Sequence, residues 1–216
     1  MINIGDWIKK WSFLQPHKRA LIFEDQPITY QEVNHRTNQL CHFLLESGIQ
    51  KGDRVSVLLY NGHQYIEIFF ALSKIGAVLV PLNWRLAGPE LEFIIKDSVA
   101  RMLIFEPEFE EVITSIRPHL NISDGDYIVV GSPCPGWAKD YEKALGEKPV
   151  HEPNRQTSVG DEDAHILMYT SGTTGIPKGA ILSHRKTFFN VLNADIYYNL
   201  TSRDILLVSR PMFHSG

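Results

Sequence analysis

A chain of 216 residues, 44% hydrophobic and 21% charged, is long enough to bury a sizeable core, and its net charge of -4 gives no electrostatic case for nucleic-acid binding. No apolar run approaches bilayer-spanning length, and Met1 to Trp7 lacks the basic start, apolar middle and small-residue cleavage site of a signal peptide. Cys41 and Cys134 lie far apart in no metal or redox spacing, so they read as two thiols of a reducing compartment and a cytoplasmic protein is expected.

In chain order, Ile4, Trp7, Ile8 and Trp11 fall at helical spacing over residues 3–14. Leu21 to Phe23, a polar turn, and Ile28 to Tyr30 read as strand, turn and short strand. Thr29 and Glu32 have the spacing of a capping box, in which each satisfies a backbone N–H at a helix start. Val33, Thr37, Leu40 and Leu44 line one face of that helix, and Gly48 stands where a C-terminal cap belongs.

From there the chain alternates. Val55 to Tyr60, Ala77 to Val80, Met102 to Phe105 and Tyr127 to Val130 are short apolar runs of strand type. Between them His63 to Ile75 reads as a helix stopped by Gly76, Pro89 opens one carrying Leu91, Ile94 and Ile95, and Phe109 to Leu120 is a weaker one. Strands without clean alternation, separated by helices, predict an α/β fold: a mainly parallel sheet covered on both faces. Residues 131–162, rich in proline and polar residues, read as a surface excursion with a short helix near Trp137 to Leu145. The acidic stretches Glu106 to Glu111 and Asp161 to Asp163 read as solvated surface and helix starts, and no metal site is assigned.

His165 to Tyr169 returns to the sheet and leads into Thr170, Ser171, Gly172, Thr173, Thr174, Gly175, Ile176, Pro177, Lys178 and Gly179. Hydroxyls, one lysine and glycines that free backbone N–H groups make a loop suited to phosphate. A Walker A loop has Ser or Thr after its lysine and opens into a helix, whereas here Gly179 follows Lys178 and another apolar run, Ala180 to Leu182, comes next. The G-x-G-x-x-G dinucleotide fingerprint is absent as well. The expectation is a phosphate loop between two strands. Ser183 is then a plausible N-cap for a helix over His184 to Asn199, and Ile205 to Val208 reads as a last strand before Pro211, Met212, Phe213 and His214.

Residues 169–179 match throughout the pattern Y/F-T/S-S-G-T/S-T-G-x-P-K-G, and the chain here resembles the acyl-adenylate-forming superfamily, in particular its acyl-CoA synthetase branch. Pro211 to His214 is similar to that family's next motif, P-L-F-H. Thr29 to Leu40, Gly52 to Val55, Ala71 to Gly76 and Val80 to Asn83 match in style, so the likeness covers nearly the whole chain. The resemblance implies a two-step ligase. A carboxylate and ATP give acyl-AMP and pyrophosphate, and the acyl group then passes to a thiol, commonly coenzyme A, with Mg2+ bound alongside the nucleotide. It implies that Thr170, Ser171, Gly172, Thr173, Thr174, Gly175, Lys178 and Gly179 grip phosphate. It implies too that His214 lies beside the carboxylate and nucleotide as the catalytic candidate.

The family's later motifs for adenine, ribose and hinge, and its C-terminal lysine, do not occur in these 216 residues. The expectation is therefore an N-terminal fragment of the parent ligase, itself inactive. It is divided into a segment 1–50 of a neighbouring sub-domain, an α/β sub-domain 51–190, and the start of a second sub-domain at 191–216. Exposed apolar ends make a homodimer a reasonable expectation. A non-catalytic nucleotide or acyl-AMP binding module and a peptide-synthetase-type adenylation domain remain as alternatives. The P-x-F-H form, without an acid to hold an amino group, favours a fatty or aromatic acid as substrate.

Overall fold

The computed structural model describes residues 2–154, 158–170 and 177–214. The N-terminal helix α1 (Gly5–Leu14) leads into a hairpin of β1 (Arg19–Phe23) and β2 (Gln26–Thr29). Helix α2 (Tyr30–Glu46) starts at the predicted capping box: the Thr29 hydroxyl accepts from the Glu32 amide, and the Glu32 carboxylate accepts from the Thr29 amide at 2.7 Å. The chain then alternates through β3 (Arg54–Leu58), α3 (His63–Ile75), β4 (Val78–Pro81), α4 (Gly88–Asp97), β5 (Ala100–Phe105), α5 (Glu110–Ile116) and β6 (Tyr127–Val129). Helix α3 stops where expected, because Gly76 at φ 75° takes the left-handed turn that a side chain resists.

The excursion contributes more than a loop. It adds a two-residue strand β7 (Lys139–Asp140) to the sheet edge, followed by α6 (Tyr141–Gly146). The last elements are β8 (Ala164–Thr170), β9 (Lys178–Ser183) and α7 (His184–Tyr198), whose start is capped by the Ser183 hydroxyl as predicted. The seven-stranded sheet runs β7-β6-β5-β3-β4-β8-β9, parallel throughout except for β9, which returns antiparallel to β8.

Both faces of the sheet are covered, which is why its strands lack simple alternation. Val55, Val57, Leu79, Met102 and Ile104 pack on one side with Leu40 and Leu44 of α2, Ile68 and Leu72 of α3, and Leu145 of α6. Leu58, Val80, Leu103 and Phe105 pack on the other side with Leu91, Ile94 and Ile95 of α4 and Ile113 of α5. Helix α2 thus shares a core with the central strands, and no break in packing marks residue 50. The expected strand over Ile205 to Val208 does not form. Those residues are 50–87% exposed and pair with no strand among the described residues, so nothing there takes up the backbone hydrogen bonds a strand must share.

A buried polar seam fixes β8 to the helical layer. His165 is fully buried, with Nε2 2.6 Å from the Ser73 hydroxyl on α3 and Nδ1 3.0 Å from the Thr187 hydroxyl on α7. Its ring stacks on His184 at 4.5 Å, and the Ile4 amide donates to His184 Nδ1 at 3.2 Å. Burial pushes His165 down to about 3, with the charge of His184 adding to the effect. Burial also pushes His184 down to about 4, against the opposing charges of Asp163 and Asp6.

Both imidazoles are thus neutral in the fold, while in the unfolded chain they titrate near 6.5. The unfolded state binds more protons between those values, so stability rises with pH across the window and is lost as pH falls from about 6.5 toward 3 to 4. The paired carboxylates Glu67, Glu152 and Asp163 are also held below their ordinary values, but those lie at 4.5 and 3.8, so their contribution is lost further down. Urea unfolding between pH 7 and 5 should therefore show stability falling by up to about 1.4 kcal/mol per pH unit per imidazole. A His165→Gln variant should roughly halve that slope. A flat profile across the interval would mean that the pair is charged in the fold.

Candidate functional site

Because β3, β4, β5 and β8 run parallel, their C-terminal ends, Leu58, Pro81, Phe105 and Thr170, emerge at one edge of the sheet. The chain leaves β3 for β4 on one side and then returns past it to β5 on the other. Loops diverge at such a reversal, and the crevice between them is where open α/β sheets hold ligands. The Tyr60 amide, just past β3, donates across that divergence to Glu106 Oε2 just past β5, at 2.8 Å. Burial raises the Glu106 carboxyl above its ordinary range; the Tyr60 hydrogen bond opposes this and the charge of Glu108 adds to it.

The predicted phosphate loop grows from the same edge. Strands β8 and β9 pair in register up to Thr170 opposite Lys178, and both residues are exposed. The loop joins two strands, as its comparison with the helix-opening phosphate loops required. Ser171, Gly172, Thr173, Thr174 and Gly175 lie outside the described residues. Gly179 sits opposite Tyr169 within β9, where two side chains lie close to its backbone. A Cβ there would stand 2.8 Å from Leu167 Cδ1 and 3.3 Å from the Tyr169 ring, too close for either to accept without moving. The Tyr169 hydroxyl donates to Asp97 Oδ2 at 2.5 Å, and burial together with this carboxylate pushes the phenol pKa up.

The Pro211 to His214 segment docks on the ends of β3 and β4, about 150 residues away in sequence. Asn61 holds it by both ends of one side chain: its Nδ2 donates to the Arg210 carbonyl and its Oδ1 accepts from the Met212 amide, each at 2.8 Å. Phe213 is thereby buried, with its ring 6.0 Å from that of Trp84, which follows β4. Trp84 in turn contacts Tyr60 at 5.2 Å, and Tyr60 contacts Phe109 at 5.1 Å. The Arg85 guanidinium lies 4.5 Å over the Trp84 ring. His214 is exposed, its ring 4.4 Å from Phe213 and its amide bonded to the Pro211 carbonyl at 3.1 Å.

Thr170 and Lys178 thus stand at the end of the β8–β9 pair, and His214 stands beside the aromatic cluster of Tyr60, Trp84 and Phe213 past the ends of β3 and β4. Sequence reasoning did not single out Asn61 or Trp84, and it read Glu106 as solvated surface, whereas that carboxylate is partly buried and accepts from the Tyr60 amide. The only local signal for them is a polar or aromatic residue within three positions of a strand end, which most loops also carry. Among the described residues, no group of three or more His, Cys, Asp or Glu side chains is placed to hold a metal ion.

A profile of the family described as "AMP-binding enzyme" matches residues 8–216. An indoleacetate–CoA ligase of Aromatoleum aromaticum is 34% identical over 100% of this chain and 41% of its own length. The long-chain-fatty-acid–CoA ligase FadD13 of Mycobacterium tuberculosis is 32% identical over 99% of this chain and 41% of its own. The inhibitor-bound crystal structure of the N-terminal domain of FACL13 from Mycobacterium tuberculosis superposes with a TM-score of 0.79 at 32% identity, covering 99% of this chain and 52% of that one. The chain thus spans about two-fifths of the length of the curated relatives it matches. With the family profile running through both the hairpin loop and the docked Pro211 to His214 segment, the chain belongs to the AMP-binding enzyme family.

Proposed function

We propose that this chain is the N-terminal, phosphate-gripping part of an ATP-dependent acid–thiol ligase. The reaction joins a carboxylic acid to AMP with release of pyrophosphate, then transfers the acyl group to coenzyme A. The observation that carries this reading is the pairing of Thr170 with Lys178 at the mouth of a strand-to-strand loop whose sequence, 169–179, matches the family signature throughout. One hydroxyl and one ammonium, both exposed at the root of a loop of glycines and hydroxyls, are donors of the kind that phosphoryl oxygens accept from. In this reading Thr170, Ser171, Gly172, Thr173, Thr174, Gly175, Lys178 and Gly179 hold the triphosphate and the departing pyrophosphate. His214, placed by Asn61 and Phe213, faces the carboxylate of the acid. Gly179 serves indirectly, by letting β9 lie close to Tyr169.

The acid is an aromatic or fatty acid in this reading. The P-x-F-H form supports that, as do relatives named for indoleacetate and for long-chain fatty acids. The described residues offer no carboxylate cluster for Mg2+, so no step is assigned to it here. The proposed organisation has residues 51–190 as the sub-domain that carries the loop, 1–50 packed on it as the edge of a neighbouring unit, and 191–216 opening a second sub-domain. A cytoplasmic setting fits two thiols and a chain in which no described helix is long and apolar enough to cross a membrane. A homodimer through the exposed apolar surface of α7 and residues 205–208 is the corresponding quaternary reading.

Two measurements test this. The 216-residue chain alone should show no carboxylate-dependent exchange of pyrophosphate into ATP. The parent ligase should show it, and lose at least about tenfold in kcat/KM on Lys178→Ala, the range expected when one charged donor to phosphate is removed. Exchange by the isolated chain would overturn the assignment of adenylation to residues beyond it. The placement of His214 is tested by amide hydrogen exchange. Asn61→Ala should speed exchange at Met212 by about tenfold, since one hydrogen bond is worth about 0.5–1.5 kcal/mol, while exchange at Val57 stays unchanged. Unaltered exchange at Met212 would show that Asn61 does not hold the segment.

A further inference from the structure

Helix α1 buries Ile4 and Ile8 against the body of the protein. At 100° per residue, Lys9 with Phe13 and Lys10 with Leu14 are i,i+4 pairs on the opposite face. Phe13 is 85% exposed and Leu14 52%. The chain then turns through Gln15 to Lys18, tied down by bonds from the Lys18 amide to the Gln15 carbonyl and from the Gln31 amide to the Pro16 carbonyl. Strand β1 follows with exposed Arg19 and with Ile22, 50% exposed. Trp11 closes the patch, stacked on Tyr30 at 5.9 Å.

Large apolar side chains exposed singly need no explanation, but several in succession, interleaved with cations, mark an interaction surface. The charge is segregated as well. Residues 1–23 hold Lys9, Lys10, Lys18 and Arg19 against Asp6 alone, four minus one, on a chain whose net charge is -4. Lys9, Lys10 and Arg19 enter no ion pair among the described residues, while Lys18 donates to the Ser202 carbonyl at 2.5 Å. The acids nearest in sequence, Glu24 and Asp25, stand at the tip of the β1–β2 hairpin. The apolar outer face of α7 differs, because Val191, Leu192 and Ile196 have no lysine or arginine among them from residue 187 to 202.

We propose that the α1–β1 face is a peripheral membrane-contact surface for bilayers rich in anionic lipid. Phe13, Leu14 and Ile22 enter the boundary between headgroups and acyl chains, and Lys9, Lys10 and Arg19 lie among the anionic headgroups. Charge complementarity selects the occupant: an apolar protein surface would meet these cations only by desolvating them, whereas an anionic bilayer offers both an apolar layer and the opposite charge at the spacing of one helix face. The proposed contact is superficial, made by exposed side chains of one helix face and the strand after it. It stands independently of the reaction proposed above.

The test is co-sedimentation of the 216-residue chain with vesicles of phosphatidylcholine alone and of phosphatidylcholine with about 30% phosphatidylserine, an anionic surface of the kind that attracts basic segments. The chain should bind the anionic vesicles, and binding should weaken as salt rises. Lys9→Gln with Lys10→Gln should weaken binding about fivefold per charge removed. Phe13→Ser with Leu14→Ser should weaken it at least about tenfold at low and high salt alike. Leu206→Ser with Leu207→Ser, outside the face, should bind like the unaltered chain. All three variants change exposed side chains, so their urea midpoints should stay in place. Equal binding to both vesicle types, binding to neither, or a loss that follows Leu206 and Leu207 while the α1 variants bind normally would overturn the proposal.

Discussion

The attachment of β8 to the parallel sheet governs what the hairpin loop can do. Strand β8 pairs with β4 at Leu79 and Ile166, and the loop root at Thr170 extends beyond that pairing. With β9 exposed along most of its length, lateral support comes chiefly from the inner side. The buried imidazole of His165 supplies part of it by bonding to Ser73 on α3 and Thr187 on α7 together. The Ser73 hydroxyl donates to the Phe69 carbonyl at 2.5 Å and so accepts from His165, and a neutral imidazole can donate there and accept from the Thr187 hydroxyl at its other nitrogen. A charged one would donate twice and bring a cation into a site without a carboxylate in contact. The strand that leads into the 169–179 loop thus depends on a group that must remain uncharged.

A second buried polar group follows the opposite rule. Glu67 on α3 has its side chain almost fully enclosed, yet it is kept ionised. Burial raises its pKa, but hydrogen bonds from His63 and Arg36, each at 2.7 Å, more than offset this and hold the carboxyl below its usual range. Tyr141 donates a further hydrogen bond at 2.8 Å, which ties the excursion to α3. A buried charge with several partners is costly to disrupt, about 3–5 kcal/mol when one partner is removed. Arg36 also grips Glu142 through both terminal nitrogens, so α2, α3 and α6 are joined at one guanidinium. Residues before 50 are thereby joined to α3 and α6 through one side chain of α2.

Most of the fold was legible because its cues are local. The capping box at Thr29 and Glu32, the left-handed glycine after Ile75, and Ser183 as N-cap each rest on residues within one helical turn. The parallel sheet was legible from runs such as Met102 to Phe105, which are apolar at every position because both faces are covered. Strand β7 was not, since two polar residues carry no pattern and join the sheet only through β6. Ile205 to Val208 has the composition of a strand, but strand formation depends on a partner for the backbone, and composition says nothing about whether one is present. The site divides in the same way. The loop could be read from 169–179 alone, whereas Asn61 could not, because its role is defined by Arg210 and Met212.

That division bears on how the site works. In the reading proposed above, a phosphate loop is written in eleven consecutive residues, 169–179, because a sequence of glycines and short hydroxyls is itself the signal. Placing the Pro211 to His214 segment on the sheet edge needs long-range geometry, and it is met by a single amide side chain that satisfies one carbonyl and one N–H about 150 residues away. Asn61 is well suited to this because it presents a donor and an acceptor in one plane, so it fixes both the position and the rotation of the Arg210 to Met212 backbone. Aspartate would keep the bond from the Met212 amide but set a negative charge against the Arg210 carbonyl. Alanine would leave both backbone groups to water. The aromatic wall of Tyr60, Trp84 and Phe213 fixes the depth of the same segment, and the asparagine fixes its orientation. Apolar packing alone is non-directional and would let the ring of His214 swing about the Phe213 anchor.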